Sequence, residues 1–425
     1  MSTEIRVGEV YLNIADDAEP SSGEIATQRR VMETVDDHPH TETIPALADP
    51  AVDHVDPDLQ ERRTDVDEKH RRVVEFLDRK GYDAALLGRA DSVSWFTSGG
   101  DLRQDLGSES ASVLLFINRQ SRAILADNVQ SPRVFEEEVA GLGFHLKERP
   151  WHEPVETTIA ALSRTRKIAT DLPGVEGLRP EANRLRDLRI RLSKLERQRL
   201  RELGRTLTLC VEATCRNFEP GETEADLAGH LAHRLFREGV TPVALSVAGD
   251  DRHEHYRRPT FKSAPIRSRA VISASGRRHG LCASVTRIVA FGPVDPEFRE
   301  AHTIASMVNA TAIYFSRPGQ PVSEVFRRVR RIYEKFGRPH EWTLADQGSV
   351  VGYSPSELPL LPDAGFVLHP DLALAWCPSV GPARSEDTVV VDHRGFEVVT
   401  EAQRWPKLEV MVKGFNLPRP GILER

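Results

Sequence analysis

Cysteine is scarce in this chain. There are four in 425 residues (Cys210, Cys215, Cys282 and Cys377), and none has a metal-type spacing. That favours a reducing cytoplasm. Long apolar runs are missing too. None approaches the roughly 20 residues that a bilayer-spanning helix needs. The N-terminus lacks the basic-then-apolar pattern of a signal peptide. Positive charge is short in residues 1–60, which hold 3 Arg against 14 Asp and Glu, a net of -11. The whole chain carries -7, so the other 365 residues carry +4. A phosphate backbone would repel such an acidic arm, which argues against nucleic-acid binding there.

What is present is a soluble, globular composition, with 39% hydrophobic and 28% charged residues. The length is enough for two or three domains. Residues 1–62 read as an acidic, flexible tail, punctuated by Pro and Asp, with one short helix expected near 22–34. Residues 63–183 read as an α/β domain. A helix over 67–81 is followed by strands at 82–87, 111–117, 122–125 and 167–171. Residues 184–205 read as one basic helix with nine Lys/Arg and three Asp/Glu and a leucine stripe. A nucleic-acid role is conceivable for it, but a solvated face between domains explains it as well.

The second domain, 184–412, shows a pattern used twice. Phe218-Glu-Pro-Gly and Arg317-Pro-Gly each join a helix to a helix, and strands follow. A two-fold repeat of about 100 residues accounts for this. Residues 413–425 read as a C-terminal tail.

The most informative stretch is 270–292, two strands joined by a Gly-bounded turn. It reads G-x-x-x-G-x-x-x-x-x-T-R-x-x-x-x-G from Gly276 through Gly280, Thr286 and Arg287 to Gly292. With the Pro-Gly turns and a late Ser385-Glu386-Asp387-Thr388 strand, it resembles the superfamily of creatinase, prolidase, aminopeptidase P and methionine aminopeptidase. The resemblance covers roughly 65–410. It implies an α+β fold: a C-terminal pita-bread domain behind a smaller creatinase N-terminal-like α/β domain. It also implies a homodimer.

Peptidase members hold two divalent metals with two Asp, one His and two Glu. Hard carboxylates bridge cations roughly 3.5–4 Å apart, generating hydroxide and polarising the scissile carbonyl. Carried over by motif, those positions fall on Ala274, Ser284, the 347–352 turn with Gln347 and Ser349, Cys377 and Glu386. Four of the five are not the family's ligand types. No dinuclear metal site and no cofactor are therefore expected.

Other chemistry has its own candidates. His253, His255 and His279 are acid–base candidates, with loop histidines as the plainer reading. Cys282 and Cys377 are thiol candidates, with inert core thiols as the plainer reading. Arg257, Arg258 and Arg287, with Ser284, Gln347, Ser349 and Trp376, would line an electropositive pocket suited to a carboxylate or phosphate. The leading expectation is an Xaa-Pro peptidase-like homologue without hydrolysis that binds a peptide or small anion. A metal-independent creatinase-like hydrolase and an interaction module of histone-chaperone or translation-factor type are the alternatives.

Overall fold

The computed structural model describes residues 57–425. The expected helix near 22–34 and nearly all of the expected acidic tail lie outside them. The first helix, α1 (Pro57–Lys80), starts ten residues before the predicted 67, so residues 57–62 are helix rather than tail. Val66, Val73, Phe76 and Leu77 bury one side of it, the spacing expected of an amphipathic helix.

The first sheet follows. Its strands are β1 (Ala84–Arg89), β2 (Ser110–Asn118), β3 (Arg122–Asp127), β4 (His145–Arg149), β5 (Ile168–Thr170) and β6 (Arg179–Pro180). Their order is β4-β3-β2-β1-β5-β6. The helix α2 (Ala90–Phe96), entirely buried, leaves β1 and packs on β1 and β2. Two further helices, α3 (Ser131–Arg133) and α4 (Val155–Ser163), belong to the same part of the chain.

The single basic helix expected over 184–205 is two helices, α5 (Ala182–Asp187) and α6 (Lys194–Asn217). The break has a local cause. Ser193 caps α6, accepting from the Glu196 N–H, while the Glu196 carboxylate accepts from the Ser193 N–H. This reciprocal box starts a new helix regardless of the leucine periodicity upstream.

The repeat is visible as two like units. In the first, α6 leads through a Pro-Gly turn to α7 (Glu224–Arg237) and then to β7 (Thr241–Gly249), the one-turn α8 (Arg252–His255), β8 (Arg269–Arg278) and β9 (Leu281–Ala290). In the second, α9 (Pro296–Phe315) leads through Pro318-Gly319 to α10 (Val322–Lys335). There follow β10 (Gly348–Val351), β11 (Leu358–Pro359), β12 (Ala373–Trp376), β13 (Ser379–Val380), β14 (Ala383–Arg384), β15 (Asp387–Asp392) and β16 (Gly395–Val398). The first unit's antiparallel core is β7-β8-β9 and the second's is β10-β12-β15.

Residues 413–425 are not a tail. Ile422–Glu424 pair in parallel with Ile288–Ala290 and close the edge of the β8–β9 sheet. The Arg425 N–H donates to the Ala290 carbonyl at 2.9 Å. An apolar edge strand such as β9 is a liability if left open, and this segment covers it.

Among the described residues no helix is long and apolar enough to cross a membrane.

Candidate active site

The site is set by the register of the β8–β9 hairpin. His279 and Gly280 turn it with φ of +50° and +75°, a two-residue turn whose twist suits the flanking strands. Ser273 then faces Thr286, and Ser275 faces Ser284, on one side of the pair. Ala274 faces Val285 on the other. The period of two leaves no choice. Ala274 is packed in the core with Ala283, Val285 and Leu207 of α6. It is therefore not on the face that carries Ser284, and the expected pairing of those two positions is corrected. Ser273 and Ser275 share the face of Ser284.

That face carries two pairs of hydroxyls, one of which ends on a carboxylate. Ser275 and Ser284 hydroxyls are 2.7 Å apart, and Ser273 and Thr286 hydroxyls 2.6 Å. Thr286 donates to Glu386 Oε2 at 2.6 Å. Its single proton is thus spent, so Ser273 is the donor to Thr286. The strand carrying Glu386 is stitched to the hairpin. The Thr286 N–H donates to the Glu386 carbonyl at 3.2 Å, and the Ser284 N–H donates to Thr388 Oγ1 at 2.8 Å.

Glu386 has a second partner that the motif did not point to. Arg384 Nη2 lies 3.1 Å from Glu386 Oε2, and both side chains are nearly buried. Arg384, Arg257, His253 and Ser273 line a narrow cleft with a cavity volume of about 20 Å³, room for roughly one water.

The remaining candidates separate. His253 is buried, and its Nε2 accepts from Arg269 Nε at 2.7 Å. Burial, then the Arg269 charge, lowers its pKa to about 3. His255 is exposed. His279 sits at the hairpin tip, where a Cβ on Gly99 would come within 2.9 Å of its own Cβ. Burial and the neighbouring Arg199 lower its pKa to about 4. Only His253 of the three lines the cleft.

Burial pushes the thiols up, to about 12 for Cys282 and about 11 for Cys377. Both are thiols, not thiolates, at neutral pH, so neither is an activated nucleophile. Cys377 Sγ rests 3.7 Å from the Asp346 carbonyl and 3.8 Å from Arg258 Nη2.

The expected arginines are mostly committed. Arg257 pairs with Glu341 at 2.6 Å, and Arg258 Nε donates to Asp346 Oδ1 at 3.0 Å. Arg287 points away from the cleft. It is fully buried on the Ala274 side of the hairpin, between Asp387 at 3.3 Å and Glu212 of α6 at 3.5 Å. It is a core ion pair, which corrects its place in the pocket. Trp376 is also core, with Nε1 donating to Ser316 Oγ. Gln347 is buried under Tyr333, and Ser349 Oγ donates to the Pro355 carbonyl. Neither they nor Trp376 line the cleft.

The donor set does not fit the family's two metals. Four hydroxyls, one neutral thiol and one carboxylate already held by a guanidinium are poor hosts for two hard cations. Among the described residues no group of three or more His, Cys, Asp or Glu is placed to hold a metal ion.

Comparison with known proteins agrees with this architecture. Residues 198–393 match the model of metallopeptidase family M24, so the chain carries an M24 domain. An uncharacterized peptidase of Staphylococcus aureus is 22% identical over 230 residues, 52% of this chain. That match spans 65% of the relative's own length, just under two thirds. The prolidase of Pyrococcus horikoshii superposes with a TM-score of 0.69 at 17% identity, covering 79% of this chain and 99% of the prolidase. The Xaa-Pro dipeptidase of Bacillus anthracis gives 0.68 at 17%, covering 82% and 100%. These likenesses establish the fold: α+β, a pita-bread domain behind a smaller N-terminal domain.

Proposed function

We propose that this chain is a prolidase-like M24 protein that binds short peptides without hydrolysing them. The observation that supports it is the Arg384–Glu386 pair at 3.1 Å. Two metals in such a site do two things: they balance the carboxylates, and they make hydroxide. A guanidinium does the first. It cannot do the second, because it stays protonated and has no lone pair to offer.

Among the described residues of the cleft no other group replaces the missing base. The one histidine in the cleft receives a hydrogen bond on Nε2 from Arg269, so its proton is on Nδ1 and it has no free basic nitrogen. The two nearest thiols are held neutral. Four free cysteines support a reducing compartment such as the cytoplasm. A homodimer, as the resemblance implies, belongs to the same reading.

The test is metal analysis of untagged protein together with an assay on Xaa-Pro dipeptides, with and without added manganese. Far less than one metal per chain, no turnover above buffer and saturable dipeptide binding are expected. Stoichiometric Mn, Co, Zn or Fe, or manganese-dependent turnover, overturns the proposal.

A further inference from the structure

Among the described residues, full burial of an arginine goes with a carboxylate partner. The buried ones, Arg122, Arg189, Arg199, Arg287, Arg384 and Arg419, each have a carboxylate partner. That is the usual condition for taking a guanidinium out of water. Arg103 and Arg277 are half-buried, and among the described residues neither forms an ion pair.

They come from different parts of the fold. Arg103 precedes β2 of the first sheet. Arg277 is near the tip of β8, on the same face as Ser273 and Ser275. Both line one cavity of about 420 Å³ between that tip and the 106–109 loop. Arg103 Nη1 donates to the Ser108 carbonyl at 2.7 Å, and Arg277 Nη2 to the Leu106 carbonyl at 3.4 Å. A guanidinium has five N–H donors. Each spends one on this loop, and among the described residues no other acceptor takes a hydrogen bond from either guanidinium.

The charges lining the cavity do not cancel. Arg89 is met by Asp91 at 3.4 Å and Glu109 at 3.3 Å, and Asp91 is shared with Arg189. That leaves Arg103 and Arg277 uncompensated. Asp91 and Asp101 act on Arg103 from nearby without pairing with it, and burial pushes the neighbouring Cys282 thiol up to about 12, so no thiolate balances the two arginines. Burial and the facing Arg277 both weaken the hold of Arg103 on its proton. Two unpaired guanidiniums beside one water-accessible cavity repel each other unless an anion lies between them.

We propose that the cavity between Arg103 and Arg277 is a binding site for a small oxyanion, a carboxylate or phosphate group held by a guanidinium from each side. A planar fork of donors suits either group. The site is separate from the Ser273–Glu386 cleft and stands whether or not that cleft hydrolyses peptides.

The experiment is calorimetric titration of the full chain at fixed ionic strength, with inorganic phosphate in one arm and acetate in the other. Saturable one-to-one binding is expected in at least one arm, and which arm identifies the group. Arg103→Gln and Arg277→Gln should each weaken it about tenfold or more. Arg299→Gln, which removes an exposed arginine paired with Glu424, should leave it unchanged. A second measurement needs only the native chain: the preferred anion should raise Tm at constant ionic strength. No saturable binding in either arm overturns the proposal, and so does unchanged affinity in both glutamine variants.

Discussion

Arg384 and Glu386 meet at 3.1 Å in a nearly closed cleft, and Glu386 also accepts the hydroxyl proton of Thr286. The last carboxylate of the ligand face is thus satisfied from within the chain. A buried pair of this kind adds little net stability over an apolar pair, but breaking it leaves a charge without a partner. Glu386→Gln should therefore cost about 3 kcal/mol. Adding Arg384→Met to it should recover most of that loss. Urea unfolding of the two variants and the native chain measures both.

Placing acids back on the hairpin should have an effect that depends on pH. Ser273→Asp with Ser284→Asp would put two carboxylates on the face that already holds Glu386. Like charges raise one another's pKa. A carboxylate whose folded pKa is raised above its unfolded value stabilises below the unfolded pKa and loses that contribution as pH rises. The double variant should be less stable than the native chain at pH 7 by on the order of 2 kcal/mol, and the gap should narrow near pH 4. Thermal melts across that range check it.

Three histidines give the native chain an acid-labile side. The pKa of His302 is lowered to about 4, chiefly by burial, that of His279 to about 4 and that of His253 to about 3. All lie below the ordinary value of about 6.5. The unfolded chain then binds more protons, so stability is complete above pH 6.5 and falls as pH drops toward 4. His302, fully enclosed with Nε2 2.9 Å from the Pro420 carbonyl, should contribute on the order of 3 kcal/mol to that loss. His302→Gln should flatten the fall in a pH series of denaturation midpoints.

Lys69 is the cation of a closed cluster. It lies 2.5 Å from Asp65 and 2.7 Å from Glu196, and Tyr353 donates to the same Glu196 at 2.7 Å. The cluster joins α1, the start of α6 and the turn after β10. Lys69→Met would leave two buried carboxylates facing each other. A loss of roughly 3–5 kcal/mol is expected, read as a lower urea midpoint.

The four cysteines are all free and buried. Thiol reactivity needs thiolate and access, and here burial denies both. No cysteine should react with a chromogenic disulfide reagent in the folded chain, and all four should react in denaturant. Rapid modification of Cys377 in the folded state would show that the packing around it opens.

Much of the fold could be read from short-range patterns. The Pro-Gly turns and the strands expected at 82–87, 111–117, 122–125 and 167–171 lie within a residue or two of where they form, because turn chemistry and periodicity are local. The break before Ser193 was missed because leucine spacing continues through it. The Ser193–Glu196 box was the available signal. The strand at Ile422–Glu424 was missed because its partner, β9, is more than 130 residues away.

The candidate site divides the same way. The sequence alone determined the hairpin motif and the residues, Ser284 and Cys377, that stand at its matched positions, since these depend only on residue identity. Only the tertiary structure decided which residues share a face. Strand register turned Ala274 and Arg287 into the core and brought Ser273 and Thr286 beside Glu386. The contact of Arg384 with that glutamate, two residues on, also depends on how the strands pack around it. The physical reason is that a carboxylate's partner is chosen by distance in space, and Coulomb energy takes no account of separation along the chain.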